Sequence, residues 1–271
     1  MLYNARNGRL SLNGAVVHYL QFGKGDKHLL MLPGLGDGLK TAEGMALPVA
    51  YQYRAFAKAG CTVTLISRRE PLPEGFSTRD MAADIAVCMD QLGIPQTDVL
   101  GVSQGGMIAQ WLAIDHPERV SRLVLAVTAP NGNETVHAVV PRWIDMARQD
   151  DYPGIMMDTA QKSYSEGYLR KNRLFLPLLG KVGKPKDYAR FLTMAHACLT
   201  HDATAHLQAI QSPTLIIGGE KDQIVGAEAS RQLHEGIAGS LLHMYPEYGH
   251  AAYEEAKDFG KRVLGFLADE Q

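Results

Sequence analysis

A chain of 271 residues, 46% hydrophobic and 21% charged, has the composition of a soluble globular protein and the length for one large α/β domain with an insertion. A formal net charge of −2, with no basic stripe interleaved with aromatics, argues against an electrostatic nucleic-acid binder. Residues 1–8 lack the apolar core of a secretory signal and no run is long enough to span a bilayer. The cysteines, Cys61, Cys88 and Cys198, are odd in number and far apart, which predicts free thiols in a reducing, cytoplasmic setting.

Alternating runs at 9–12 and 15–20 flank Asn13-Gly14 and predict a hairpin. Residues 28–32 read as a central strand ending in the glycine-rich loop Pro33-Gly34-Leu35-Gly36-Asp37-Gly38, at the strand end where parallel sheets bind ligands. A helix is expected over 47–58, closed by Gly60, then a strand over 61–67 and a polar, proline-bearing loop over 68–75. A helix from Ser77 or Thr78 to Leu92 places Ala82, Ile85, Met89 and Leu92 on one face. Residues 97–102 form an apolar, β-branched core strand. Ile108, Trp111, Leu112 and Ala113 then recur at helical spacing as far as Pro117, and 121–127 is the next strand.

From about Asn131 to about His206 strand-like runs stop. Short helical patterns broken by Pro141, Pro153, Gly167, Pro177, Gly180, Gly183 and Pro185 read as a helical insertion. The sheet resumes at 212–218, followed by a helix near 228–233, a last strand over 240–245 and a closing helix around 257–267. Eight strands alternating with helices predict a mostly parallel sheet covered on both faces. Its core would be residues 1–130 and 207–271, with a helical cap (lid) over 131–206.

The chemistry concentrates at Gly101-Val102-Ser103-Gln104-Gly105, a G-x-S-x-G placed between a predicted strand and a predicted helix. A sharp turn there would hold the serine hydroxyl clear of the sheet at a helix N-terminus. A serine needs a base, and the base an orienting acid, each best placed just after a strand end. Asp222, in Gly218-Gly219-Glu220-Lys221-Asp222, is the expected acid, with Glu220 competing for the role. His250, in Tyr248-Gly249-His250, is the expected base. Backbone N–H groups of Gln104 and of Leu35, in the glycine-rich loop, are the expected donors to a tetrahedral oxyanion.

These motifs, together with His116-Pro117-Glu118-Arg119-Val120 and Pro213-Thr214-Leu215-Ile216-Ile217-Gly218, make the chain resemble the α/β-hydrolase superfamily, close to its small, cap-bearing bacterial serine hydrolases. The resemblance implies an eight-stranded sheet whose second strand is antiparallel, and a helical lid between the sixth strand and the helix after it. It departs from the family at Pro33, where a histidine is usual before the loop glycine. It departs again at Ser67-Arg68-Arg69-Glu70-Pro71-Leu72-Pro73, where Asp-x-Arg-Gly-x-Gly is usual.

The expected function is cleavage of a small carboxylic ester or lactone through an acyl-enzyme, with no cofactor. C–C bond hydrolysis or acyl transfer by the same triad is the alternative, and a small-molecule receptor with a retained triad is a reading of another class. No nucleic-acid or membrane partner is expected, and the sequence leaves the oligomeric state open. His196, His201, Asp202 and His206 do not match a zinc spacing. Arg68-Arg69 is expected to be a solvated pair. Met45, Trp143, Met146, Met156, Met157, Tyr164 and Met194 are expected either to line a pocket under the lid or to pack its core.

Overall fold

The computed structural model describes residues 2–268. Strands β1 (Arg6–Leu12), β2 (Ala15–Gly23), β3 (Lys27–Leu32), β4 (Cys61–Ile66), β5 (Thr97–Val102), β6 (Val120–Ala126), β7 (Thr214–Gly219) and β8 (Leu241–Tyr245) form one sheet in the order β1-β2-β4-β3-β5-β6-β7-β8. β2 runs antiparallel to β1 and β4, and the remaining pairs are parallel. The hairpin closes with Leu12 opposite Ala15, and Asn13 (φ 49°) and Gly14 (φ 83°) supply the two left-handed residues that such a turn requires.

Period-two side-chain alternation divides the core between the two faces of the sheet. Leu30, Leu32, Val99, Leu123, Leu125 and Ile216 point to one face, while Leu29, Met31, Leu100, Val124, Leu215 and Ile217 point to the other. The first face is covered by α3 (Thr78–Gln91) and α4 (Gln104–Asp115), which contribute Ile85, Met89, Ile108 and Leu112. The second is covered by α1 (Ala46–Gln52), α2 (Arg54–Lys58) and the C-terminal Phe259–Ala268 helix, through Ala50, Phe56, Val263 and Phe266. Ser77 starts α3 with a capping box, in which its hydroxyl accepts from the Asp80 N–H and Asp80 accepts from the Ser77 N–H. The single helix expected over 47–58 is two, because Tyr53 leaves helical geometry (φ −99°, ψ 24°) to pack against Phe56 and the core.

Between β6 and β7 lie α5 (Glu134–Arg148), α6 (Tyr152–Ser163), α7 (Glu166–Asn172), α8 (Leu176–Leu179) and α9 (Ala189–Thr200). Side-chain caps from Asn133, Asp151 and Ser165 start three of them. Pro141 does not break its helix. It lies inside α5, where Val136, Val139, Val140, Trp143 and Ile144 are buried and hold the helix through the missing N–H. These helices pack on α4 and the segment after β7 through Met107, Ile224 and Val225. The chain returns to the sheet through a 3-10 stretch, Thr204–Ala209, not through a regular α-helix. Among the described residues no helix is long and apolar enough to cross a membrane.

Candidate active site

Ser103 follows β5 with φ 54° and ψ −122°, a conformation that L residues avoid and that lifts its side chain off the sheet at the start of α4. The turn leaves no room for side chains on either flank. A Cβ on Gly101 would lie 2.6 Å from the Gly105 carbonyl oxygen, and one on Gly105 would lie 1.9 Å from the Leu32 carbonyl oxygen. The Ser103 N–H donates to the Ala126 carbonyl (2.9 Å), and the Thr128 hydroxyl donates to the Ser103 carbonyl (2.7 Å). Val127, between those two supports, is itself at φ 46°, a costly conformation for a β-branched residue.

The loops after β7 and β8 bring Asp222 and His250 to the same sheet edge. His250 Nε2 lies 2.9 Å from Ser103 Oγ, and His250 Nδ1 lies 2.8 Å from Asp222 Oδ2. Asp222 Oδ1 accepts from the N–H groups of Ile224 (2.8 Å) and Val225 (3.0 Å). Burial alone would push the Asp222 carboxyl up. His250 and those two N–H groups outweigh it and hold the group below the usual carboxylate range. An ionised carboxylate only accepts hydrogen bonds, so Nδ1 carries the imidazole proton and Nε2 is left to accept from the serine. Glu220 is excluded as the acid, because its carboxylate is held by Arg231 at 2.7 and 2.8 Å.

Leu35 and Gln104 each open a helical segment, Leu35–Gly38 and α4, so neither N–H has an intrahelical acceptor. Both residues line one cavity with Ser103 and His250. Gly34 brings the loop against the serine, where an added Cβ would lie 3.2 Å from Ser103 Cβ. The cavity has a volume of about 300 Å³. Leu39, Met107, Val140, Trp143, Ile155 and Phe191 give it apolar walls, and among the described residues the carboxylate in its lining is that of Glu254. Of the candidates named from sequence for this lining, Trp143, Met156 and Tyr164 are there. Met194 is buried in the core, and Met45 and Met146 pack against core clusters elsewhere.

Arg68-Arg69 is not a solvated pair. Arg68 is 3% exposed, with a guanidinium that donates to the Pro33 carbonyl and lies 3.5 Å from Gln104 Oε1. Arg69 is bound through two nitrogens to Asp84. Their partners stand far away in sequence, so only the folded chain brings the compensating groups to these cations. No group of three metal-ligating side chains occurs among the described residues. His201 is buried, with Nδ1 2.8 Å from the Thr78 hydroxyl. Sequence reasoning also missed Asp37, Thr128, Arg190 and Glu254. Asp37 had a signal in its place within the glycine-rich loop, whereas Thr128, Arg190 and Glu254 had none.

Comparison with known proteins agrees with this architecture. The family model for the alpha/beta hydrolase fold matches residues 27–257. A 2-hydroxy-6-oxononadienedioate/2-hydroxy-6-oxononatrienedioate hydrolase from Pseudomonas sp is 28% identical over 269 residues, covering 95% of this chain and 93% of the relative. A protein of the same name from Escherichia coli O81 (strain ED1a) is 29% identical, covering 93% of this chain and 91% of the relative. Among solved structures, the enol-lactonase from Burkholderia xenovorans LB400 superposes with a TM-score of 0.83 at 22% identity, covering 97% of this chain and 100% of that one. An esterase from Exiguobacterium antarcticum gives 0.80 at 23% identity, covering 95% and 97%. At such identities the structural likeness speaks for the fold.

Proposed function

The chain belongs to the α/β-hydrolase family, and from that premise we propose that it is a serine hydrolase acting on a small carboxylic ester or lactone. One observation carries the reading: the relay from Ser103 Oγ to His250 Nε2 (2.9 Å) and from His250 Nδ1 to Asp222 (2.8 Å), at a cavity also lined by Leu35 and Gln104. Ser103 Oγ attacks the carbonyl carbon while His250 Nε2 takes its proton. Asp222 stabilises the imidazolium. The N–H groups of Leu35 and Gln104 receive the oxyanion, each lowering the barrier by about 3 kcal/mol. His250 then protonates the leaving alkoxide and activates the water that hydrolyses the acyl-enzyme. In a lactone the alkoxide stays on the same molecule. We read residues 131–206 as the lid that roofs this cavity and sets its shape. The buried free cysteines suit a cytoplasmic setting.

The named relatives favour a second reading, hydrolysis of a C–C bond, since the substrate in their name is a hydroxy-oxo dicarboxylate with no ester bond to cleave. The cavity speaks for the ester. Among the described residues no lysine or arginine lines it, and Glu254 would repel a carboxylate. A panel of activated esters, lactones and a diketone acid separates the two bonds, and repeated turnover separates an enzyme from a receptor. Ser103→Ala is expected to lower ester turnover by about 10⁴-fold or more, and a phosphonate probe should label Ser103 in the unaltered protein. Full turnover by the alanine variant would falsify the mechanism.

A further inference from the structure

We propose that Arg68 is a positioning residue for the oxyanion site, holding both backbone donors in register and supplying a buried positive charge that is only partly balanced at rest and more fully balanced when the oxyanion forms. The inference rests on the hydrolase reading above. Its geometry begins at Pro33, where the loop bearing Leu35 lacks the side chain usual for this family. The Arg68 guanidinium takes over there. Nη2 donates to the Pro33 carbonyl and lies 3.5 Å from Gln104 Oε1. Gln104 is fixed at its other end, where Nε2 donates to the Met194 carbonyl (2.5 Å) and Cys198 Sγ (3.0 Å). One planar cation thus ties the loop that carries the first donor to the residue that carries the second.

The charge count around it is unequal. Arg68, Arg190 and Asp37 are all buried, with side chains 2%, 8% and 2% exposed, so two guanidinium groups face one carboxylate. Arg190, from α9, takes most of that carboxylate, donating to Asp37 through its side chain and backbone carbonyl and to the Arg68 carbonyl at 3.1 Å. Arg68 is left 3.8 Å from Asp37, and its Nε and Nη1 have no hydrogen-bond partner. Burial, with Arg190 beside it, outweighs the opposing pull of Asp37 and lowers its pKa to about 10, so it stays charged at neutral pH. Arg69, by contrast, is matched by Asp84. A buried cation that shares its one carboxylate with a second cation is costly in a resting protein. It favours a state in which a negative charge develops nearby in a water-poor cavity, and that state is the tetrahedral intermediate.

Arg68→Met leaves Asp37 and Arg190 as a balanced pair, so the variant retains a neutral cluster. Arg68→Lys keeps the charge and loses the planar fork. Each is compared with the unaltered enzyme on a neutral p-nitrophenyl ester, and by inhibition with a matching trifluoromethyl ketone, whose adduct with a serine carries the oxyanion. Thermal unfolding checks the fold. The methionine variant is expected to lose ~10- to 100-fold in kcat, less than the loss of a direct donor, with KM within about threefold of the starting value. Fluoroketone affinity should fall in parallel, and lysine should restore most of both. If the methionine variant does not fold, Arg68→Gln, neutral and still able to donate, takes its place and must show kcat and fluoroketone affinity falling together at constant KM, with lysine closer to the unaltered enzyme. Unchanged kcat, a loss confined to KM, or fluoroketone affinity that ignores the substitution overturns the role. If the unaltered protein neither turns over the ester nor takes the fluoroketone, the hydrolase reading falls, and the role of Arg68 with it.

Discussion

Two glycines near the nucleophile show how the clearance left for one methyl group separates a folding requirement from a catalytic one. A Cβ on Gly105 would sit 1.9 Å from the Leu32 carbonyl oxygen, and backbone on the adjacent strand cannot yield that far without moving β3. Gly105→Ala is therefore expected to cost several kcal/mol and to give little folded protein, read as loss of soluble yield or a large fall in Tm. A Cβ on Gly34 meets Ser103 Cβ at 3.2 Å and Oγ at 3.7 Å, which a slight loop shift can relieve. Gly34→Ala should unfold within about 2 °C of the starting protein, yet lose ~10-fold or more in kcat, because the shift moves the Leu35 donor away from the oxyanion. Equal thermal losses in the two variants would contradict this division.

At the scale of elements, the short helix Ala252–Glu255 links the inserted helices to the histidine. The Ala251 N–H, next to His250, donates to the Ser163 carbonyl (2.9 Å), and Glu255 accepts from the Ser165 N–H (2.9 Å) and hydroxyl (2.6 Å). Glu254 accepts from the Tyr164 hydroxyl at 2.5 Å and lines the cavity with no cationic partner among the described residues. Glu254→Gln keeps an acceptor for Tyr164 and removes the charge. The ratio of kcat/KM for a trimethylammonium-tailed ester to that for a carboxylate-tailed ester of equal length should fall by ~10-fold at low salt, and by less at high salt. A ratio that does not move would show that Glu254 plays no part in selection. Much of this organisation was legible beforehand. The strands followed apolar alternation and β-branched runs, and Ser103, Asp222 and His250 each stood just past a strand end. The helix starts in the insertion were also readable from their caps, Asn133, Asp151 and Ser165, although the broken apolar pattern drew attention to the prolines instead. The burial of Arg68 was not legible, because the groups that accept from it, Asp37 and the Pro33 carbonyl, stand 31 and 35 residues away and meet it only in the finished fold.

For the molecule as a whole, the same kind of long-range closure sets its response to acid. His201 sits at the seam where the inserted helices return to the sheet. Its carbonyl accepts from the Gly132 N–H (2.8 Å), its Nδ1 meets Thr78 of α3 (2.8 Å), and its ring stands edge-on to Trp111 of α4 at 6.3 Å. Burial outweighs the opposing pull of Asp202 and lowers its pKa from 6.5 to about 4. The folded protein therefore keeps this imidazole neutral at pH values where the unfolded chain has already bound a proton. Its contribution is complete above about pH 6.5, declines as the pH falls toward 4, and is lost below that. The difference amounts to about 2 kcal/mol at pH 5 and about 3 kcal/mol at the acid limit. Asp222, whose folded pKa lies below the usual carboxylate value of 3.8, loses its contribution only in more acidic solution, so the two effects occupy separate windows. His201→Gln removes the upper window alone. Between pH 7.5 and pH 5 the unaltered protein should lose roughly 5 °C more in Tm than the glutamine variant, measured in the same buffers. Parallel curves for the two proteins would place the acid sensitivity in another group, whereas convergence at pH 5 would locate it where the inserted helices return to the sheet.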